Sequence, residues 1–437
     1  MISKIKRFVA LIAVAAVIAL PTSYFLIPHG ERPSLKIQHP SKTSKLSYLE
    51  RLESKALAGD ANAMFRMGNN YKYGYNGLKP DNTKAIEWYE KAISHGDADA
   101  MNNLGVMYKA GEDIEQDYSK AIELFEKATV LKNGKAFSNL GSMYQDGKGV
   151  PKDYKKAREL YLEGVEVGNT YSMANLGFLY YFGNGVEKDP DEAQAWFLKA
   201  AESGETMPGL QFMIGLYYFD GHGNQKQDLM QARLWFEKAA KQGHADAQSF
   251  LGNFYYYGQA GLSVDYIKAG EYYEISAQNG NAYSKEFLDK VIKNCNLYRY
   301  KILSLKANIS CLVAAPSGDP QAMYITGLSF YFGTRGLLDK DYERAAEWLQ
   351  KSAKAGNVWG QIKIAKMYNE GLGLKEDPIE AYAWLSVVEN QKNIADALKK
   401  TKADIRDNIY KNFNQSEKKK ADLKAQKYIE LYLAKEN

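Results

Sequence analysis

The chain repeats one short motif eight times, and this periodicity constrains the fold more than any other feature of the sequence. Each copy has a small residue that usually follows an apolar one, then an aromatic residue three positions later, then a glycine after three more. The small residues are Gly68, Gly105, Gly141, Gly177, Gly215, Gly252, Gly327 and Ala365. They recur at intervals of 36 to 38 residues, apart from one interval of 75 that spans two periods and predicts a degenerate copy. A fixed period in this range is typical of a solenoid.

Each unit contains a second regular segment. All eight copies have an aspartate four residues ahead of an alanine, as in Asp81 and Ala85 or Asp153 and Ala157. Bulky residues follow the alanine at three and four positions, which is the spacing of one face of an α-helix. The aspartate stands where a helix N-cap is expected, and glycines end the segments as C-terminal caps do. The sequence therefore predicts two helices per unit, with these aspartates as structural caps rather than catalytic acids.

The lead glycine lies inside the predicted first helix, where glycine costs roughly 1 kcal/mol relative to alanine. Seven of the eight units nevertheless keep it. We therefore expect the backbone at this glycine to pack closely against the bulky face of the second helix. The aromatic residue beside it is expected to belong to the framework.

Together these residues resemble the Sel-one-like repeat family, which is related to tetratricopeptide repeats. Segments 137–168 and 173–204 match the family pattern closely, and the resemblance covers about residues 46–390. It implies an all-α fold, a right-handed α/α solenoid of about nine helix pairs with one degenerate pair at about 285–320. The first helices would line its concave face. Such proteins are generally scaffolds or adaptors that bind a protein or peptide.

The two ends of the chain differ from the repeats. Lys4, Lys6 and Arg7 precede an apolar run that begins at Phe8, and residues 1–27 read as a signal anchor or a cleaved signal peptide. Basic residues before such a segment favour export of the residues that come after it. We expect residues 28–45 to be a tether and the solenoid to lie in the bacterial periplasm, tethered to the inner membrane or released after signal cleavage.

Helical caps are expected at both ends of the solenoid. Residues 46–60 resemble a lone second helix, and residues 391–437 are expected to form C-terminal capping helices. The C-terminal segment is basic, which is also typical of contact with a membrane surface or nucleic acid. The net charge of the chain, +5, is too small to favour nucleic acid as a partner. For the C-terminal segment, a solvated face on a capping helix is the favoured interpretation, so membrane contact is expected through the N-terminal segment only.

The only two cysteines, Cys295 and Cys311, fall in the degenerate unit. Alignment of that unit with its neighbours places them on adjacent antiparallel helices. A disulfide is expected in an oxidising compartment, and two buried free thiols are the alternative. With no histidine nearby they supply too few ligands for a metal site.

The candidate partner-binding residues lie on the predicted first helices. Asn103, Asn139 and Asn175 each precede the apolar–Gly pair, where side chains should face away from the core. Their amides could hydrogen-bond a peptide backbone, or they could tie neighbouring helices together. Apolar residues occur further along, and they could line a hydrophobic part of the groove or be buried between repeats. They are Phe178, Met213 and Phe250.

The sequence shows no catalytic arrangement and no motif for a cofactor or a metal. The function predicted is that of a non-enzymatic, envelope-located scaffold or adaptor. A periplasmic immunity or regulatory protein that neutralises an effector would use the same surface and is the alternative. A β-lactam-binding or hydrolysing enzyme is a further alternative, suggested by cysteine-rich members of the family. Those members carry a cysteine pair in nearly every unit, whereas this chain has one pair in total.

Overall fold

In the computed structural model the described part of the chain consists of helices joined by short connections. The structure describes residues 48–111, 114–204, 207–221, 226–297, 305–334, 337–391 and 396–433. These ranges contain 21 α-helices, two short 3-10 segments and no β-strand. The expected signal segment at 1–27 and the tether at 28–45 lie outside the described residues.

The helices alternate between two positions of the repeat. The first helices are α2 (Ala61–Tyr73), α4 (Ala98–Ala110), α6 (Gly134–Asp146), α8 (Thr170–Phe182), α10 (Pro208–Asp220), α12 (Ala245–Tyr257), α14 (Ala282–Leu297), α16 (Pro320–Phe332) and α18 (Val358–Glu370). The second helices are α1 (Tyr48–Leu57), α3 (Asn82–Ser94), α5 (Tyr118–Val130), α7 (Tyr154–Glu166), α9 (Pro190–Glu202), α11 (Leu229–Lys241), α13 (Tyr266–Gln278), α15 (Leu305–Ala314), α17 (Tyr342–Lys354) and α19 (Pro378–Asn390). Helices α20 (Asp396–Lys411) and α21 (Gln415–Leu433) come after them. The predicted all-α fold of repeated helix pairs is confirmed.

The chain divides into two compact units. Unit 1 extends to Ala232 and unit 2 begins at Arg233, so the boundary falls within α11. Unit 1 contains α1 to α10, and unit 2 contains α12 to α21. In both units, first helices pack against the second helix that follows them and against the preceding second helix.

The aspartates of the repeat cap the second helices, as the sequence predicts. The Oδ1 atom of Asp153, for example, accepts a hydrogen bond of 2.9 Å from the backbone N–H of Lys156. The same cap is made by Asp81, Asp117, Asp189, Asp228, Asp265, Asp341 and Asp377. Because every carboxylate is committed to the start of a helix, these aspartates belong to the framework.

The lead glycines allow the two helices of a pair to approach closely. A Cβ atom added at Gly105 would lie 2.7 Å from Cε1 of Phe125, and one added at Gly141 would overlap the ring of Tyr161. Both rings are fully buried. Gly68, Gly177, Gly252 and Gly327 approach the second helix equally closely, so the expected packing is present at these six lead glycines.

The degenerate pair, α14 and α15, is joined by a disulfide. Cys295 on α14 and Cys311 on α15 are 0% and 1% exposed, and their sulfurs are bonded at 2.05 Å. The backbone carbonyl of Cys311 also accepts a hydrogen bond of 3.3 Å from Oγ1 of Thr326 on α16. The bridge thus cross-links the two helices where the repeat motif is weakest.

The C-terminal helix α21 covers the last helix pair of unit 2. The ring of Trp384 on α19 is 1% exposed and lies 5.0 Å from the ring of Tyr428 and 4.9 Å from that of Tyr432. The Tyr428 hydroxyl donates a hydrogen bond of 2.8 Å to Glu380, which also forms an ion pair with Lys424. These contacts shield an apolar surface of α19 from water.

One first helix has an unusual cap. Helices α6, α8 and α18 are capped by Asn133, Asn169 and Asn357, whereas α12 is capped by His244. The Nδ1 atom of His244 accepts a hydrogen bond of 3.3 Å from the backbone N–H of Ala247. Burial lowers the pKa of His244, with the carboxylate of Asp246 acting in the opposite direction. A protonated ring has no lone pair at Nδ1, so the cap requires the neutral form.

We predict that Gly141→Leu lowers the free energy of unfolding by about 1–3 kcal/mol, because the added side chain overpacks the contact with Tyr161. Denaturant unfolding measures the change. Lys135→Leu places the same side chain on an exposed position of the same helix and serves as the control. Equal unfolding midpoints for the two variants would contradict the close-packing role.

We predict that His244→Asn makes the stability of the protein less sensitive to acid. Since the folded pKa of His244 is lowered, its contribution to stability is complete above the unfolded pKa of about 6.5 and is lost as the pH falls below it. Asparagine provides the same cap without titrating. The decrease in melting temperature from pH 7.5 to pH 5.5 should therefore be larger for the wild-type protein than for the variant. Parallel decreases would show that the cap does not depend on protonation.

Candidate partner-binding face

The first helices of unit 1 carry a row of asparagine side chains. We define the amide row as Asn69 on α2, Asn102 and Asn103 on α4, Asn139 on α6 and Asn175 on α8. Asn103, Asn139 and Asn175 occupy the same repeat position, 36 residues apart, and with Asn69 the row crosses four successive first helices. It includes all three asparagines that the sequence suggests as partner-binding residues.

Hydrogen bonds of the amide row connect each first helix to the one before it. The Nδ2 atom of Asn103 donates to Oδ1 of Asn69 over 3.1 Å. In the next unit Asn139 donates to Oδ1 of Asn102 over 2.8 Å. Asn175 in turn donates to Oγ of Ser138 over 3.1 Å. The row therefore ties neighbouring helices together, which is one of the two roles that the sequence left open.

A tyrosine from the second-helix layer supports the row. The hydroxyl of Tyr89 on α3 donates a hydrogen bond of 2.7 Å to Oδ1 of Asn69. Burial raises the pKa of Tyr89, and its hydrogen bond with Asn103 acts in the opposite direction. The phenol therefore remains a neutral donor at physiological pH, and its hydrogen bond fixes the position of the Asn69 side chain.

The members of the row differ in their access to solvent. Asn175 is buried, at 7% exposure, so its amide serves the interior. Asn103 and Asn139 are half-buried and keep part of the amide at the surface. An amide has two N–H donors and a carbonyl with two lone pairs, so one or two internal bonds do not exhaust it. The exposed part of the row is a neutral surface that can both donate and accept hydrogen bonds.

The apolar residues suggested for the groove are in the interior of the structure. Phe178, Met213 and Phe250 are 3%, 1% and 9% exposed, respectively. The ring of Phe178 packs 5.1 Å from that of Phe197, and the ring of Phe250 packs 4.8 Å from that of Phe236. These three side chains therefore do not line an exposed groove. The alternative that the sequence left open, that they are buried, is the one found in the structure.

A charged cluster near the amide row was not identified from the sequence. The Nζ atom of Lys109 donates a hydrogen bond of 2.9 Å to Oγ of Ser142. Burial and the charge of Lys148 lower the pKa of Lys109 to about 8, with Asp146 opposing the shift. Asp146 and Lys148 form an ion pair of 3.2 Å. The repeat gives no signal for this cluster, because the position of Lys109 holds Gln145 in the following unit.

Unit 2 contains a cavity of about 1000 Å³ beside the C-terminal helices. Glu376 and Glu380 lie on one wall, and Ile409 and Phe413 of α20 and its following turn lie on another. The carboxylate of Glu380 is already bonded to Tyr428 and Lys424. The cavity thus lies between the last helix pair, α18 and α19, and the C-terminal helices that pack on it.

The described part of the chain contains neither a metal-binding cluster nor a membrane-spanning helix. In residues 48–433, apart from the gaps between the described ranges, no group of three or more His, Cys, Asp and Glu side chains could hold a metal ion. No helix within these same ranges is long and apolar enough to span a bilayer.

Comparison with known proteins identifies the repeat. A model of the Sel1 repeat matches residues 61–97, 98–129, 138–169, 170–205, 210–244, 245–281, 320–357 and 360–386. The degenerate pair at α14 and α15 falls in the interval between the sixth and seventh matches.

Several known proteins resemble parts of the chain. A Sel1 repeat protein from Oxalobacter formigenes is 29% identical, with a TM-score of 0.47 over 53% of this chain and 99% of that one. A protective antigen of uropathogenic Escherichia coli with an SLR fold is 25% identical, with a TM-score of 0.31 over 89% of this chain and 95% of that one. An immunity protein from Pseudomonas aeruginosa is 22% identical, with a TM-score of 0.36 over 50% of this chain and 81% of that one.

A curated relative is more similar over a shorter stretch. The HRD3A component of an ERAD-associated E3 ubiquitin ligase from Arabidopsis thaliana is 43% identical over 60 residues. This match covers 14% of the chain and only 9% of the plant protein. The repeat matches, by contrast, cover more than half of the chain. The chain therefore belongs to the Sel1 repeat family.

Proposed function

We propose that this chain is a non-enzymatic scaffold or adaptor that binds a partner protein or peptide on the first helices of unit 1, at Asn103 and Asn139. Sel1 repeat proteins mediate protein–protein interactions and are generally non-enzymatic. The observation that carries the proposal is the half-exposed part of the amide row. It offers repeated neutral amides at one position of successive helices.

The chemistry of the row suits the backbone of an extended segment. A peptide backbone presents one N–H donor and one C=O acceptor at each residue other than proline. Asn139 uses one N–H on Asn102, and its Oδ1 accepts no hydrogen bond from the described residues. An amide held in this way is preorganised, so binding costs little side-chain entropy. Recognition through amides would be tolerant of the partner's side chains.

We predict that Asn139→Ala weakens partner binding by about two- to tenfold, as expected for one lost hydrogen bond to the partner. It should also lower stability by about 1–3 kcal/mol, because the buried Oδ1 of Asn102 loses its donor. The partner is first captured by crosslinking in the native envelope, and its affinity for the purified protein is then measured. Asn175→Ala is the matched control at the same repeat position. Because Asn175 is buried and bonded to Ser138, its loss should lower stability by about 1–3 kcal/mol and leave the affinity unchanged.

Two results would contradict this assignment. If both variants lose stability and neither loses affinity, the whole row is framework. If the purified protein turns over a β-lactam, the non-enzymatic part of the proposal fails. A captured partner that is a secreted effector, inhibited by this chain, would instead place the protein in an immunity or regulatory role at the same face.

We place the solenoid outside the cytoplasm, in the periplasm and tethered through residues 1–27 or released from them. This is supported by the basic and apolar character of that segment and by the buried Cys295–Cys311 disulfide. Disulfides persist in oxidising compartments such as the periplasm and are rare in the cytosol.

We predict that the full-length protein carries an intact Cys295–Cys311 bridge in its native host, and that a variant without residues 1–27 carries two free thiols. Non-reducing mass spectrometry after thiol alkylation under denaturing conditions distinguishes the two states. The same oxidation state in both proteins would contradict export through the N-terminal segment.

A further inference from the structure

We propose that unit 2 has a second binding surface, on α16 and α18, that docks an acidic protein segment carrying an apolar anchor residue. We call it the aromatic–lysine patch, and it consists of Phe332, Trp359, Lys363 and Lys366. It lies in a different unit from the amide row and shares no residue with it. It therefore goes beyond the function proposed for that row, and each of the two surfaces can be tested alone.

The patch exposes two large aromatic side chains. Phe332, the last residue of α16, is 65% exposed, and Trp359, the second residue of α18, is 44% exposed. Large aromatic rings bury much apolar area when a partner covers them, and they are enriched among the residues that dominate binding interfaces. Two such rings on adjacent first helices indicate a surface that a partner covers.

The repeat framework does not require these rings. The position of Phe332 is aromatic in three other units, as Tyr73, Phe182 and Tyr257, and holds Ala110, Asp146 and Asp220 in three more. The position of Trp359 holds Asn62 and Asp99 in other units. Units with small or polar residues at these positions form the same helix pairs. Packing within the repeat therefore does not need an aromatic residue at either position.

A lysine side chain of α18 lies against the aromatic rings at the end of α16. The Nζ atom of Lys363 is 3.4 Å from the centroid of the Tyr331 ring and 5.1 Å from that of the Phe332 ring. Trp359 is one turn before Lys363 on α18, so their side chains share a face of the helix. Lys366 follows three residues later. Burial and the charge of Lys366 lower the pKa of Lys363, and the carboxylate of Glu370 opposes the shift. The patch thus places two ammonium groups beside exposed apolar surface.

The charge of the patch selects the partner. Glu370 forms an ion pair of 3.5 Å with Lys366. No described carboxylate lies within ion-pair distance of Lys363, whose close contacts are with the aromatic rings. A carboxylate from a partner would give Lys363 a charge-assisted hydrogen bond, while an apolar side chain beside it would cover Phe332 and Trp359. A basic segment would instead bring like charges together.

The test measures binding of three fluorescent peptides to the full-length protein by anisotropy at low salt. The peptides share alternating leucines, and the residues between them are Glu, Gln or Lys. The Glu peptide should bind at least about tenfold more tightly than the Lys peptide, and the preference should weaken as salt is added.

Variants then locate the binding. Phe332→Ser should weaken binding of the Glu peptide by about tenfold or more, and Lys363→Glu should reverse the preference between the Glu and Lys peptides. Val130→Ser is the matched control, because Val130 is 79% exposed on α5 of unit 1. It should leave all three affinities unchanged, as should Asn139→Ala. Circular dichroism melts verify that each variant is folded.

The proposal is overturned if the Glu and Lys peptides bind equally, or if Val130→Ser weakens binding as much as Phe332→Ser does. It is also overturned if the protein binds none of the peptides but binds phosphatidylserine vesicles, and if Lys363→Glu abolishes this vesicle binding. If Asn139→Ala loses the natural partner and keeps the Glu peptide, both surfaces are active and independent. If the Asn139→Ala variant still binds the natural partner, and the Glu peptide still binds through Phe332, only the function assigned to the amide row fails.

Discussion

The close contact between the lead glycine of a first helix and a bulky side chain of the following second helix is the constraint on which the rest of the structure depends. A Cβ atom at Gly252 would lie 2.9 Å from Cε1 of Tyr273, and one at Gly105 would lie 2.7 Å from Cε1 of Phe125. The absence of a side chain lets the two backbones approach, and the ring fills the space between them. Since a helix glycine costs about 1 kcal/mol, this packing must recover more than that in every pair that keeps it.

This constraint divides the side chains of a first helix into two groups. The residues that face the second helix are fixed by the packing, and the aspartate caps fix where the second helix begins. The positions that face away are left to vary from unit to unit. At those positions unit 1 has half-exposed amides such as Asn103 and Asn139, whereas unit 2 has Trp359 and Lys363. The repeat thus supplies one scaffold on which separate surfaces can be built.

The sequence predicted the framework well because its determinants are local. Helix caps, the lead glycines and the helical spacing of apolar residues each leave a signal within one unit. Exposure is not local, and here the sequence was less informative. Phe250 and Asn139 occupy the same repeat position, yet Phe250 is 9% exposed and Asn139 is half-buried. Helix α10 is apolar on nearly every side, so its pattern could not show which face is covered.

The chemistry of the two proposed surfaces suggests that they do different work. Neutral amides such as that of Asn139 can bond any peptide backbone, so they contribute affinity with little discrimination between sequences. The ammonium of Lys363 beside the ring of Phe332 discriminates by charge, because an acidic segment satisfies it and a basic one is repelled. The first surface would hold an extended segment of any sequence, whereas the second would accept an acidic segment and reject a basic one. A solenoid suits this division, since its contacts are mostly between neighbouring repeats and a change on one helix face leaves distant repeats intact.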